Sequence, residues 1–370
     1  MIIGCVKEVK NNEYRVGLTP DAVKSFTAFS HTVYLEKGAG LGSGYTDDEY
    51  KKAGAKILNK AEEVWNKSEM IIKVKEPVES EYKYFRENLL IYTYFHLAAD
   101  KPLTKALLKD KVTSVAYETI VGKNGGLPCL IPMSEIAGRL SIQEGAKYLE
   151  KTFGGKGVLL AGVPGVHKGN VVIIGGGTVG TNACKMAYGL GANVTILDVN
   201  GDRLTQLDDL FDGKVTTLFS TRENIQKSIA KADLVVGAVL IPGKKAPKLV
   251  LKEDLKLMKP GTVMVDVAID QGGCFETSKP TTHEDPIYIK DGIVHYCVTN
   301  MPGAVSRTST DALVARTLPY GLDLANKGMV QAVQDDYGLS LGVNTYKGKI
   351  TFEGVAEAFN MSYTPLEELL

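Results

Sequence analysis

Short runs of apolar, β-branched and aromatic residues alternate with amphipathic stretches through the first third of the chain. IIGCV (2–6), TVYLE (32–36), MIIKV (70–74), LLIYTY (89–94) and VTSVAY (112–117) have the composition of strands. Helical stretches lie between them. One opens at Thr19-Pro20-Asp21, with Thr19 as N-cap, Pro20 as first helical residue and an acid in the first turn. Such alternation implies a parallel sheet with helices on its faces. A longer helix is predicted over 134–150, where Ile136, Ala137, Leu140, Ala146 and Leu149 fall near helical spacing. Its length suits a connection between two domains.

The second half repeats the pattern. DLVVGAVL (233–240) and GTVMVDVAI (261–269) are near-continuous apolar runs, as in strands buried on both faces, and IVHYCV (293–298) follows. The C-terminal stretch is mostly helical by pattern, its main helix interrupted at Pro319. It is too short for a core of its own. It is expected to pack back on the first domain and make that domain discontinuous.

Between these halves lies VVIIGGGTVGTNACKMAYGLGANVTILD (171–198). A strand, Val171 to Ile174, runs into a glycine turn, a helix follows, and a second strand ends at Asp198. Gly175, Gly177 and Gly180 fit G-x-G-x-x-G: the first permits a tight turn, the second lets a pyrophosphate approach the backbone, the third lets helix and strand pack closely. The helix N-terminus offers N–H groups and a partial positive charge to phosphates. Asp198 is placed to bind ribose hydroxyls, and a carboxylate there favours NAD over NADP. Arg203 weakens that preference somewhat. The alternative is a tight β-to-α turn in an ordinary α/β domain.

Composition narrows the classes. With 43 basic and 43 acidic residues the chain has no net charge, so nothing points to nucleic acid or to an anionic membrane. No apolar run reaches the roughly 18 residues needed to span a bilayer. The N-terminus MIIGCVKEVK reads as a buried strand rather than a signal peptide. Cys5, Cys129, Cys184, Cys274 and Cys297 are scattered and odd in number, which suggests a reduced cytoplasmic chain without disulfides. No two histidines have metal-ligand spacing, so no metal is expected.

Ligands of doubly wound sheets bind beyond the carboxyl ends of the strands, and a few polar residues stand there. Arg15 lies in a polar turn after the first strand, where a guanidinium can hold a carboxylate through two hydrogen bonds; the alternative is a solvated surface arginine. Lys75 follows MIIKV at a strand end and reads equally as an exposed lysine. His96 follows the next strand, at the same sheet edge, and suits acid–base work; a hydrogen-bonded structural histidine is the alternative. Asp270 ends an apolar run, which is costly without water, a cation or a ligand nearby. Asp266, inside that run, is expected to cap or pair internally. Leu240 and Asn300 also fall at strand ends.

KEVKNNEYRVGLTP, IIKVKEP, YFHLA, PMSEIAGRLSIQEGA, KGVLLAGVPGV, the glycine-turn segment, VDVAIDQGG and TNMPGAVSRTST, in this order, resemble the bacterial alanine dehydrogenases from end to end. The resemblance implies an α/β fold of two Rossmann-like doubly wound domains around a cleft. The substrate domain would comprise 1–128 plus 306–370, and the NAD-binding domain 129–305 with the connecting helix. It implies reversible oxidative deamination of L-alanine to pyruvate and ammonium with NAD, by a cytoplasmic homohexamer whose partners are those small molecules. Arg15 and Lys75 resemble the substrate-holding pair, His96 and Asp270 the catalytic pair. Gly175, Gly177, Thr178, Val179 and Gly180 resemble the pyrophosphate loop. Asp198 resembles the ribose acid, with Arg203 nearby; Ser134 resembles a phosphate contact, and Ser220 lines the adenine side. Val239, Leu240, Ile269, Asn300 and Met301 resemble the nicotinamide wall, with Met133 close by. The alternative is the NAD-binding component of a proton-translocating transhydrogenase, a related fold with a similar R-V-x-L-T-P opening.

Overall fold

The computed structural model describes residues 1–239 and 246–370, and these form two compact units: 1–133 with 303–370, and 134–302. The expected domain boundaries lay at 128/129 and 305/306. In the first unit the strands β1 (Ile2–Cys5), β2 (Thr32–Glu36), β3 (Lys56–Leu58), β4 (Met70–Ile72), β5 (Leu90–Thr93) and β6 (Thr113–Ala116) lie in the order β3-β2-β1-β4-β5-β6, all parallel. The chain winds outward from β1 in one direction and from β4 in the other, so the topological switch lies between β1 and β4. Successive residues serve opposite faces: Ile72 and Tyr92 join a core with Val23 and Phe26, while Ile71 and Ile91 join one with Trp65 and Phe95.

The second unit holds β7 (Asn170–Ile174), β8 (Asn193–Asp198), β9 (Thr216–Phe219), β10 (Leu234–Gly237), β11 (Val263–Asp266), β12 (Ile287–Lys290) and β13 (Ile293–Tyr296), in the order β9-β8-β7-β10-β11-β13-β12. Only β12 is antiparallel among them. The switch lies between β7 and β10. Every residue of β10, β11 and β13 is buried, as their apolar runs required. Two further strands, β14 (Val343–Tyr346) and β15 (Lys349–Ile350), return to the first unit and extend its sheet past β6 in antiparallel fashion.

Thr19 caps the helix Pro20–Ala28, its side chain accepting from the Ala22 N–H at 3.2 Å. The connecting helix runs Ile131–Tyr148, opening three residues before the expected start. The expected interruption at Pro319 is absent: one helix spans Ser306–Lys327. Proline removes one N–H from it. Buried Leu313, Val314, Thr317, Gly321, Leu324 and Ala325 keep it continuous, and the Tyr92 hydroxyl donates to the Thr317 carbonyl at 3.0 Å. No helix among the described residues is long and apolar enough to cross a membrane.

Candidate active site

Arg15, Lys75 and His96 follow β1, β4 and β5, three neighbouring strands, so all three stand at one sheet edge, beside the switch point. Arg15 is no surface residue: it is 3% exposed, and its Nε and Nη2 donate to the two oxygens of buried Glu13 at 2.7 and 2.6 Å. Nη1 lies 3.1 Å from Met133 Sδ. Burial works against the guanidinium's charge, but the Glu13 hydrogen bonds and charge outweigh it and hold the arginine above its ordinary value. Glu13 therefore fixes both the direction and the charge of this fork.

Lys75 is half-buried, and its ammonium has no hydrogen-bond or ion partner among the described residues. Burial first, and the nearby Arg15 charge second, push it below the ordinary lysine value. Lys75 stands beside Arg15 and its charge is offset only in part by Glu76 and Glu13, which favours a carboxylate ligand. The backbone behind Lys75 is held by Glu8, which accepts from the Val74 and Lys75 N–H groups at 2.6 and 3.4 Å. Glu8 in turn lies 3.3 Å from the fully buried Lys73 ammonium, which also donates to Glu81 at 3.0 Å. Burial raises the Glu8 carboxyl, and Lys73 opposes that shift.

His96 is exposed and left-handed, at φ 52° and ψ 38°. Its ring lies nearly parallel to that of Tyr94, 10° apart in plane and 6.1 Å between centroids. Its ring nitrogens have no hydrogen-bond partner among the described residues, unlike His295, a core residue bonded to Thr277 at 2.8 Å. Glu118, just beyond β6, accepts from the Phe95 and His96 N–H groups.

In the second unit the glycine turn follows β7. Gly175 has φ +106°, and a Cβ at Gly180 would sit 1.7 Å from the Gly175 carbonyl oxygen, so neither position admits a side chain. A Cβ at Gly177, in contrast, would meet nothing within 4 Å. That glycine leaves room, next to the N-terminus of the Thr178–Gly189 helix, which has no side-chain cap. Open space beside uncapped helical N–H groups fits a pyrophosphate. Thr178 is exposed on the same turn, and Val179 is buried behind it.

Asp198 ends β8 beside this turn. Its Oδ2 accepts from the Gly176 N–H at 2.6 Å and Oδ1 from the Asn200 N–H at 2.9 Å. Half-buried Ser220 is tied to the same strand end, its N–H donating to the Asp198 carbonyl at 2.9 Å. Arg203 faces the glycine turn. Its Nε donates to the Gly176 carbonyl at 2.7 Å and its Nη2 to Thr181 Oγ1 at 2.6 Å, so its guanidinium braces the glycine turn from behind.

Asp270 is exposed on the turn Ile269–Gln271, and its carboxylate makes no hydrogen bond or ion pair among the described residues. Ile269 is buried beneath it. Asp266, fully buried at the end of β11, caps this loop internally: it accepts from the Ala268, Cys274 and Phe275 N–H groups at 3.1–3.2 Å and from the Ser278 hydroxyl. Val239 is half-buried just past β10, and Leu240 lies outside the described residues. Asn300 is left-handed at φ 57°, with His283 Nε2 at 3.2 Å from its carbonyl oxygen, and Met301 is buried beside it. Ser134 is half-buried in the first turn of the Ile131–Tyr148 helix.

Sequence reasoning missed Glu8, Glu13, Lys73 and Glu118. Glu13 carried a signal, an acid two residues before Arg15; the others pair across strands that only the fold brings together.

Residues 4–137 match the family model for the alanine dehydrogenase/PNT N-terminal domain, and 141–353 that for the C-terminal domain. An alanine dehydrogenase of Methanococcus maripaludis is 60% identical, with all of both chains covered. A solved L-alanine dehydrogenase superposes with a TM-score of 0.95 at 49% identity, over 97% of this chain and 99% of that one. A transhydrogenase from Sinorhizobium meliloti superposes at 0.82 with 24% identity, over 95% of this chain and 99% of that one, a likeness of fold alone. Such relatives imply a nicotinamide dinucleotide cofactor, which the glycine turn fits. With both family models matched in sequence and nearly the whole fold shared, the chain belongs to the alanine dehydrogenase/PNT family.

Proposed function

We propose that this chain catalyses the reversible oxidative deamination of L-alanine: L-alanine, NAD⁺ and water give pyruvate, ammonium, NADH and a proton. The observation that carries this reading is the gathering of Arg15, Lys75 and His96 at the ends of β1, β4 and β5. The full-length likeness to an alanine dehydrogenase supports it. NAD, when bound, supplies the hydride acceptor.

The chain's own residues do the rest. Arg15, held rigid by Glu13, and Lys75 bind the substrate carboxylate and carbonyl side, and orient the Cα hydrogen. Positioning of this kind lowers a barrier by at most roughly 7–11 kcal/mol. His96 and Asp270 move the protons. One takes a proton from the water that adds to the substrate's iminium carbon, and a proton returns to nitrogen as the carbinolamine collapses to pyruvate and ammonium. His96→Ala is expected to lower kcat with alanine; full kcat in that variant would remove His96 from the acid–base role.

Gly175, Gly177, Thr178, Val179 and Gly180 hold the pyrophosphate, Asp198 the ribose, and Ser134 and Ser220 further parts of the dinucleotide. Val239, Ile269, Asn300 and Met301 line the nicotinamide; the role read for Leu240 falls outside the described residues. Arg203 serves the cofactor indirectly, through the turn. A carboxylate at Asp198 supports NAD over NADP. We place the enzyme in the cytoplasm as a homohexamer, which sedimentation of the purified protein tests. The reaction itself is tested by NADH absorbance on adding L-alanine and NAD: a rate is expected, and its absence with active, NAD-binding protein contradicts the reading.

A further inference from the structure

We propose that Glu118 is a positioning residue for His96, holding its backbone in the left-handed conformation that aims the imidazole; this rests on the reading of His96 as an acid–base group. The arrangement follows from strand register. β5 and β6 pair in parallel, with Thr93 opposite Ala116. Glu118 stands two residues past Ala116, and Phe95 and His96 two and three past Thr93. The carboxylate thus meets two successive N–H groups of the neighbouring chain segment. Oε1 accepts from His96 at 2.5 Å and from Phe95 at 3.1 Å, and Oε2 from Phe95 at 3.2 Å.

His96 needs such a hold. Its φ of 52° is disfavoured for any residue with a Cβ. Its carbonyl accepts from the Ala99 N–H at 2.9 Å, but that bond fixes only the downstream side of the turn. Upstream, Phe95 is fully buried, so its N–H would lose its acceptor without Glu118. Glu118 is itself well anchored: the preceding Tyr117 is fully buried and donates its hydroxyl to the Lys73 carbonyl at 3.0 Å. An anion across two consecutive amides is the arrangement by which backbone N–H groups bind anions elsewhere, here filled from within the fold. A carboxamide in place of the carboxylate keeps one good acceptor for the pair.

A double-mutant cycle separates positioning from general structural support. The full-length protein is prepared as Glu118→Ala, Glu118→Gln, His96→Ala and the two double variants. Turnover of L-alanine is expressed per NAD-binding site, counted by NAD titration. Glu118→Ala is expected to lower kcat about 100-fold, the cost of a small misplacement of a reacting group, with KM for L-alanine changed less than about threefold. Glu118→Gln is expected to recover most of the loss. In the His96→Ala background neither change lowers kcat further by more than about twofold, because it acts only through His96. Equal losses in both backgrounds, or a Glu118→Ala enzyme within about twofold of the parent, overturn the proposal. If the alanine variant does not fold, Glu118→Leu, which also removes the acceptor but keeps most of the side-chain volume, replaces it in the same cycle. Failure of the parent enzyme to turn over L-alanine is a different result and strikes the proposed reaction, not Glu118.

Discussion

Lys75 is the residue whose ionisation says most about the site. Burial and Arg15 hold its pKa below the ordinary value, so keeping it charged costs stability below that lowered pKa. The cost fades as pH rises from the lowered value toward 10.5, the ordinary lysine value. A bound carboxylate reverses the shift. Pyruvate binding to the NADH complex at alkaline pH should therefore take up protons, an effect read by calorimetry in buffers of different ionisation heat. Lys75→Met should abolish the uptake; proton release in the parent enzyme would contradict this picture. Asp198→Ala is expected to weaken NAD binding by about 1.5–3 kcal/mol and to narrow the gap to NADP, as read by fluorescence titration. An unchanged preference would mean that its bonds to Gly176 and Asn200 are its whole task. At this scale the sequence was informative where chemistry and position coincide, as at Arg15, His96 and Asp198. It was silent on partners: nothing along the chain tells that Lys73 faces Glu8 and Glu81, or that Arg203 turns to the Gly176 carbonyl, because those choices are made by the fold.

Elements were most legible away from the sheet edges. The central strands read directly as apolar runs. The strands missed, β3, β9, β12, β14 and β15, lie at or next to the sheet edges among the described residues. At β3, β9, β12 and β15 one side of the backbone lacks a neighbour, and side chains are partly exposed, as in β9, so the apolar signal fades; β14 is paired on both sides and largely buried, but its VNTY carries two polar residues. The Ser306–Lys327 helix shows the opposite case, tertiary packing overriding a proline that local reasoning treats as a break. Two stability tests belong here. Thr19→Ala removes the cap of Pro20–Ala28 and should cost about 1 kcal/mol in denaturant unfolding. Lys73→Met leaves Glu8 and Glu81 buried without their cation and should cost about 3–5 kcal/mol. A loss below that of Thr19→Ala would show that the Glu8–Lys73–Glu81 group is not held ionised.

Across the whole molecule one topology is used twice. Each unit winds outward from a pair of central strands, and in each the chemically distinctive residues follow those strands: Arg15 and Lys75 after β1 and β4, the glycine turn and Val239 after β7 and β10. Strand order explains why the candidates gather at switch points, a fact no single motif contains. The central claim is that this machinery exchanges an amino group for a carbonyl on a three-carbon acid. It is tested most directly in the reductive direction. Purified protein is given NADH, pyruvate and isotopically labelled ammonium, and product and NADH consumption are measured together. The account expects L-alanine carrying one labelled nitrogen for each NADH oxidised. No labelled alanine, together with hydride exchange between NADH and a second nicotinamide nucleotide, would contradict it.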